Sequence, residues 1–159
     1  MIATAKLLGI AIKPKRWQPM HTLAAMELSV AAGLAGDCRG KPGPRQVTLL
    51  SQAAWRAACA ELHVDLPWTT RRANLLVDNL PLIEASGARL VIGQAVLEIT
   101  GETDPCARME KAQQGLFAAL KRDWRGGVCC RVLRGGPLAV GMDVELTGFT
   151  DRLESSHDG

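Results

Sequence analysis

The chain contains no tyrosine and only two phenylalanines among 159 residues. With aromatics at 4%, single-stranded nucleic acid would find few rings to stack on. Charge makes no stronger case, because a formal net charge of +3 is mild for a nucleic-acid binder. No apolar run approaches the roughly 20 residues that a membrane-crossing helix needs. The N-terminus lacks the charged start, apolar stretch and small-residue cleavage site of a signal peptide. Five cysteines are an odd number, and none forms a C-x-x-C pair. These absences predict reduced thiols in a cytoplasmic protein that binds neither membrane nor nucleic acid. His21, His63 and His157 lie far apart, with no ligand-type spacing to any cysteine, which excludes an ordinary zinc site. Nothing resembles a Ser/His/Asp arrangement.

What is present is globular. Hydrophobic residues make up 47% and charged residues 22%, at a length that supports one core and not two. The sequence predicts a single domain over 1–150 and a flexible tail over 151–159. Strands are predicted at 6–12, 27–30, 46–50, 72–77, 89–92, 95–100, 128–134, 138–140 and 144–146. Gly93-Gln94 has the composition of a two-residue hairpin turn between two of them. Ser51 is a natural N-cap for a helix over 52–63, whose apolar face carries Trp55, Ala58, Cys59 and Leu62. A second helical stretch, 107–121, is interrupted near Gly115. The fold class that follows is mainly β with some α: a closed or nearly closed barrel of about eight short strands with two or three helices.

Chemistry concentrates at Glu102-Thr103-Asp104-Pro105-Cys106-Ala107-Arg108. Cys106 follows a proline at the exit of a strand, in a polar connection where Arg108 favours a thiolate. Thiolates serve as ligands to soft metals and as carriers of transferred sulfur. Arg71-Arg72-Ala73-Asn74 enters the strand over 72–77, and alternation sends Arg72 and Asn74 to one side, Leu75 and Val77 to the other. Arginine offers a fork for phosphate, and asparagine offers a donor and an acceptor to a heterocycle edge. Two adjacent arginines are more often solvent-facing, so the pattern alone does not decide. The loop Gly36-Asp37-Cys38-Arg39-Gly40-Lys41-Pro42-Gly43 fails as a phosphate loop, being one residue short with proline where a hydroxyl belongs. It retains backbone N–H groups, Arg39 and Lys41 for an anion. In the strand over 128–134, Cys130 shares the core face with Val128 and Val132, while Cys129 shares a face with Arg131. Cys59 reads as inert core, which leaves Cys38 as the second reactive thiol.

Six segments in order resemble a MOSC domain, the family named after the C-terminal domain of molybdenum cofactor sulfurase. They are Gly33-Leu34-Ala35-Gly36-Asp37, Arg45-Gln46-Val47-Thr48-Leu49-Leu50, Arg71-Arg72-Ala73-Asn74-Leu75-Leu76-Val77, Gly87-Ala88-Arg89-Leu90-Val91-Ile92-Gly93, Asp104-Pro105-Cys106-Ala107-Arg108-Met109 and Gly126-Gly127-Val128 through Gly135-Gly136. The resemblance implies a β-barrel with a pocket for a molybdenum–molybdopterin cofactor. It implies that Cys106 ligates the metal or carries sulfur as a persulfide, and that Arg71, Arg72 and Asn74 hold the cofactor. Arg45, Arg108 and Arg131 join them on charge and strand face. Partners implied are a cysteine desulfurase, on which any pyridoxal phosphate would sit, or an electron-transfer reductase. With the reductase, the alternative activity is molybdenum-dependent reduction of N-hydroxylated bases or related N-oxygenated compounds. A further alternative is a non-catalytic module for small anions or a protein partner. Where many relatives have Arg-His after Asp37, this chain has Cys38-Arg39.

Overall fold

The computed structural model describes residues 2–149, so the tail expected over 151–159 lies outside the described residues. Its strands are β1 (Ile2–Ile12), β2 (His21–Leu23), β3 (Ala25–Ser29), β4 (Gly33–Leu34), β5 (Val47–Ser51) and β6 (Leu75–Val77). Next come β7 (Arg89–Ile92), β8 (Ala95–Glu102), β9 (Val128–Arg134), β10 (Gly136–Ala139) and β11 (Asp143–Thr147). Three helices interrupt them: α1 (Gln52–Glu61), α2 (Ala107–Ala112) and α3 (Leu116–Lys121).

Seven strands close a barrel in the order β11-β7-β8-β9-β5-β6-β1, and β2 adds an eighth along β1. Closure comes from β1 against β11, with Ile2 opposite Thr147 and Lys6 opposite Asp143. Closing the ring pairs backbone groups that an open sheet would leave at its edges. Strands β10, β3 and β4 form a second, small sheet. The one parallel pair of the barrel is β5 with β6, and a parallel pair needs a long crossover. That crossover carries α1 and a 3₁₀ turn (Trp68–Arg71).

Alternation explains both cores. Along β8, Ala95, Leu97 and Ile99 are buried while Val96, Glu98 and Thr100 are half-buried, as a one-faced strand requires. In β5 and β6 both faces are apolar. Leu49 and Leu75 pack inside the barrel, whereas their neighbours Leu50 and Leu76 pack under α1 with Trp55, Ala58 and Cys59. The helices therefore cover the barrel where its strands are apolar on both sides. Ser51 caps α1, accepting the amide of Ala54 at 3.4 Å. Gly93, at φ +60, supplies the turn between β7 and β8.

One predicted element needs correction. The strand expected over 72–77 starts only at Leu75, because Trp68–Arg71 form the 3₁₀ turn and Arg72 N–H closes onto Thr69 O at 2.9 Å. Arg72 itself is left-handed at φ +63, so strand alternation does not govern Arg72 or Asn74. The helical stretch over 107–121 divides at Gly115, which sits at φ +87. Strands β2 and β4 are not predicted by the sequence; at three and two residues they are too short for alternation to register. Among the described residues no helix is long and apolar enough to cross a membrane.

Candidate functional site

A cavity of about 310 Å³ opens where the chain leaves β1 and β8 and enters β5 and β6. Its floor is built from polar side chains whose bonds are already made. Asn74, 7% exposed, accepts Thr48 N–H at 3.0 Å and Thr48 Oγ1 at 3.2 Å through Oδ1. Its Nδ2 donates to Ala11 O at 3.1 Å. One amide thus ties the ends of β1 and β5 to the entry of β6, supplying partners that buried backbone would otherwise lack. Arg71, also 7% exposed, donates from Nε to Gly126 O at 2.9 Å and from Nη2 to Thr103 O at 3.4 Å. It braces the exit of β8 against the entry of β9. A Cβ on Gly127 would stand 2.3 Å from Leu49 O, so only glycine lets this corner close against β5. Burial pulls the Arg71 guanidinium below its ordinary range, and the neighbouring Cys106 and Cys129 push the other way.

The rim is different in kind. Lys13, Arg39, Arg45, Arg72 and Arg108 all face the cavity, against Asp37 and Asp104. Lys13 is 7% exposed, and its ammonium has no hydrogen-bond or ion-pair partner among the described residues. Desolvation lowers its pKa, and Arg72, Arg39 and Arg108 add to that while Cys38 opposes it. Arg72 donates from Nη2 to Gln18 O at 2.5 Å, yet its buried Nε has no partner among the described residues. Its pKa falls through desolvation and then through Arg108. A buried donor left unmade costs free energy unless something supplies an acceptor. Arg108 lies 3.9 Å over the ring of Trp17, with Arg16 at 5.0 Å, an arrangement that holds the arginine through the ring's negative face. Trp17 is 66% exposed.

Cys106 is the exposed thiol. It stands at the N-cap of α2 but makes no side-chain capping bond, so its sulfur is not committed to the helix. The sequence candidates Arg45, Arg71, Arg72, Asn74, Cys106 and Arg108 all line the cavity. Arg131 does not. It faces outward on β9, with Nη2 3.2 Å from Glu98 Oε1, because the β8–β9 register sets these two opposite each other.

Lys13, Thr48, Thr103 and Cys129 are among the lining residues that sequence reasoning does not single out as candidates. Lys13 reads as part of a charged turn with Pro14 and Lys15, and its place at the end of a buried run is the available signal. Cys38, expected as the second thiol, is half-buried and does not line the cavity. Cys129 does, with its Sγ 3.3 Å from Thr103 Oγ1. Cys59 and Cys130 are buried, and burial raises both thiols out of their usual range. Among the described residues no group of three or more His, Cys, Asp or Glu is placed to hold a metal ion. A metal entering here would have to bring most of its own ligands.

A family model described as MOSC domain matches residues 35–145. The fold is similar to that of the YuaD protein from Bacillus subtilis, with a TM-score of 0.79 and 21% identity over 94% of this chain and 99% of that one. It is also similar to YiiM from Escherichia coli, at a TM-score of 0.69 and 14% identity, over 92% of this chain and 71% of that one. YiiM from Geobacillus stearothermophilus gives 0.68 and 14%, over 92% and 76%. At these identities the likeness is one of fold alone. No curated protein matches the chain.

Proposed function

This chain belongs to the MOSC domain family, and from that premise we propose that its cavity handles a molybdenum–pterin cofactor through the sulfur of Cys106. The thiol acts there either as a ligand to the metal or as a carrier of sulfur in persulfide form. The observation that carries this reading is the meeting of an exposed thiol with a rim of cations in which Arg72 holds a buried donor without a partner among the described residues. Lys13 and the Nε of Arg72 have no acceptor among the described residues, and a phosphate-bearing ligand supplies one.

The residues fit such a group. Lys13, Arg39, Arg72 and Arg108 would hold its anionic end, with Arg45 at the entrance. Arg71 and Asn74 act differently: Arg71 Nε and Nη2 and the Asn74 amide are bonded within the protein, so they position the wall rather than grip the ligand. Cys106 offers the soft donor that a sulfur-ligated metal prefers. When bound, the cofactor supplies a redox-active metal with sulfur ligands of its own, which suits a site with one exposed thiol and, among the described residues, no ligand cluster.

The test is to purify the protein from cells that make the cofactor and measure molybdenum and pterin fluorescence. In parallel, purified protein is incubated with a cysteine desulfurase and cysteine, and its mass is followed. Metal and pterin that disappear in Cys106→Ser establish the ligand role. A gain of one sulfur on Cys106 establishes the carrier role. If neither signal appears, the reading fails and the cavity is a plain anion or protein module.

A further inference from the structure

The cavity holds two thiols, and the function proposed above uses one. Cys129 lies on β9 directly opposite Thr48 of β5, 6% exposed, with its sulfur against the Thr103 hydroxyl at 3.3 Å. Cys106 follows Thr103 by three residues, and 103–106 has no regular secondary structure. Three residues span at most about 10 Å, and the Thr103 end is tied down by Thr103 N–H to Gly127 O at 2.9 Å. Arg71, fixed between these segments, feels the charge of both sulfurs. Of the remaining cysteines, Cys59 is in the core under α1, Cys130 points into the barrel, and Cys38 lies beside the rim, its N–H bonded to Lys13 O at 2.8 Å, without lining the cavity.

We propose that Cys129 is the resolving thiol of Cys106, discharging a persulfide on Cys106 as hydrogen sulfide and leaving a Cys106–Cys129 disulfide across the cavity. This rests on the sulfur-carrying form of the reading above. Cys129 Sγ attacks Cys106 Sγ, the inner sulfur of the persulfide. A new S–S bond forms between the two cysteines, and the bond from Cys106 Sγ to the terminal sulfur breaks. The terminal sulfur leaves with the electron pair, takes the Cys129 proton and departs as hydrogen sulfide. The terminal sulfur is reduced, the Cys129 sulfur is oxidised and the Cys106 sulfur keeps its oxidation level, so no outside oxidant is needed. Hydrosulfide is a better leaving group than an alkyl thiolate, which directs the exchange this way. A dithiol reductant resets the pair. Disulfide geometry asks the two Cα atoms to come within about 7 Å, so the proposal requires that approach of Cys106 and Cys129.

Two measurements test it. Diamide is first applied to the purified full chain carrying Cys130→Ala, and the tryptic digest is searched for peptide 90–108 joined to peptide 126–131. The link is expected there and is lost when Cys129→Ser is added. If Cys130→Ala does not fold, fragmentation of the wild-type linked peptide between Cys129 and Cys130 gives the same information. A link from Cys106 to Cys38, or none while Cys129 stays reduced, overturns the proposal. Inorganic polysulfide is then used to load Cys106, and sulfide release is timed. Cys129→Ser is expected to retain the persulfide and release sulfide at least about ten-fold more slowly, since the attacking group is gone. Equal rates overturn the proposal. Failure of Cys106 to take up sulfur in either protein overturns the carrier reading and the release step with it. The diamide link, read separately, tells these failures apart.

Discussion

Arg71 and Arg72 are neighbours in sequence and opposites in role. Arg71 is buried with its Nε and Nη2 bonded to carbonyls of two other segments. Arg72 is left-handed, half-buried, and carries a buried donor with no partner among the described residues. The contrast extends to the whole cavity: a floor in which Arg71, Asn74 and Thr48 bond one another or nearby backbone, and a rim of cations in which Arg72 Nε is buried without a partner among the described residues. Folding alone accounts for the floor. Under the proposed function, an anionic ligand would supply the acceptor that this Nε lacks.

The floor should break hardest. Arg71→Ala leaves the carbonyls of Gly126 and Thr103 without their donor, and we expect a loss of about 2–4 kcal/mol, measured as a fall in urea midpoint. Asn74→Ala removes bonds to both Thr48 and Ala11 and should cost about 2–3 kcal/mol by the same assay. Cys106→Ser should change stability by less than roughly 1 kcal/mol, as at other exposed positions, while abolishing the sulfur gain in mass. A collapse of its melting temperature would make Cys106 a structural residue. Arg72→Met should be near-neutral in stability and weaken cofactor retention. A large stability loss in that variant would erase the distinction between floor and rim.

These effects also mark how far the sequence is legible. Alternation and glycine turns are enough to read the β7–β8 hairpin, β9 and the barrel class, because β8 alternates over eight residues and Gly93 marks the turn before it. The crossover after α1 is where alternation misleads: it assigns Arg72 and Asn74 to a strand face, but a 3₁₀ turn precedes them and reverses the chain. They reach the cavity by a different route from the one expected. Family motifs bring out Cys106, Arg72 and Asn74, with Arg71 beside them, and all four line the cavity. Lys13 and Cys129 escape because what matters about them is where β1 ends and how β9 registers against β5 and β8. Arg131 is a candidate on strand face, yet the cavity ends before its position on β9.

The smallest effect is the most discriminating in sign. Burial and nearby arginines hold Lys13 below the usual ammonium range, so its folded pKa lies below the unfolded one. Within that interval the unfolded chain binds more protons, and this residue's contribution to stability rises with pH. An anion at the rim needs the protonated amine, so phosphate affinity falls as pH rises through the lowered pKa. Lys13→Met should flatten both trends, followed by calorimetry for phosphate and by denaturation across pH. Trends that persist in the variant would assign the pH dependence to another group.

The most direct measurement is molybdenum and pterin content per chain for the wild type and for Lys13→Met/Arg72→Met, both purified from cofactor-producing cells. The account predicts cofactor on the wild type and little or none on the folded double variant. Equal retention by both proteins would contradict it.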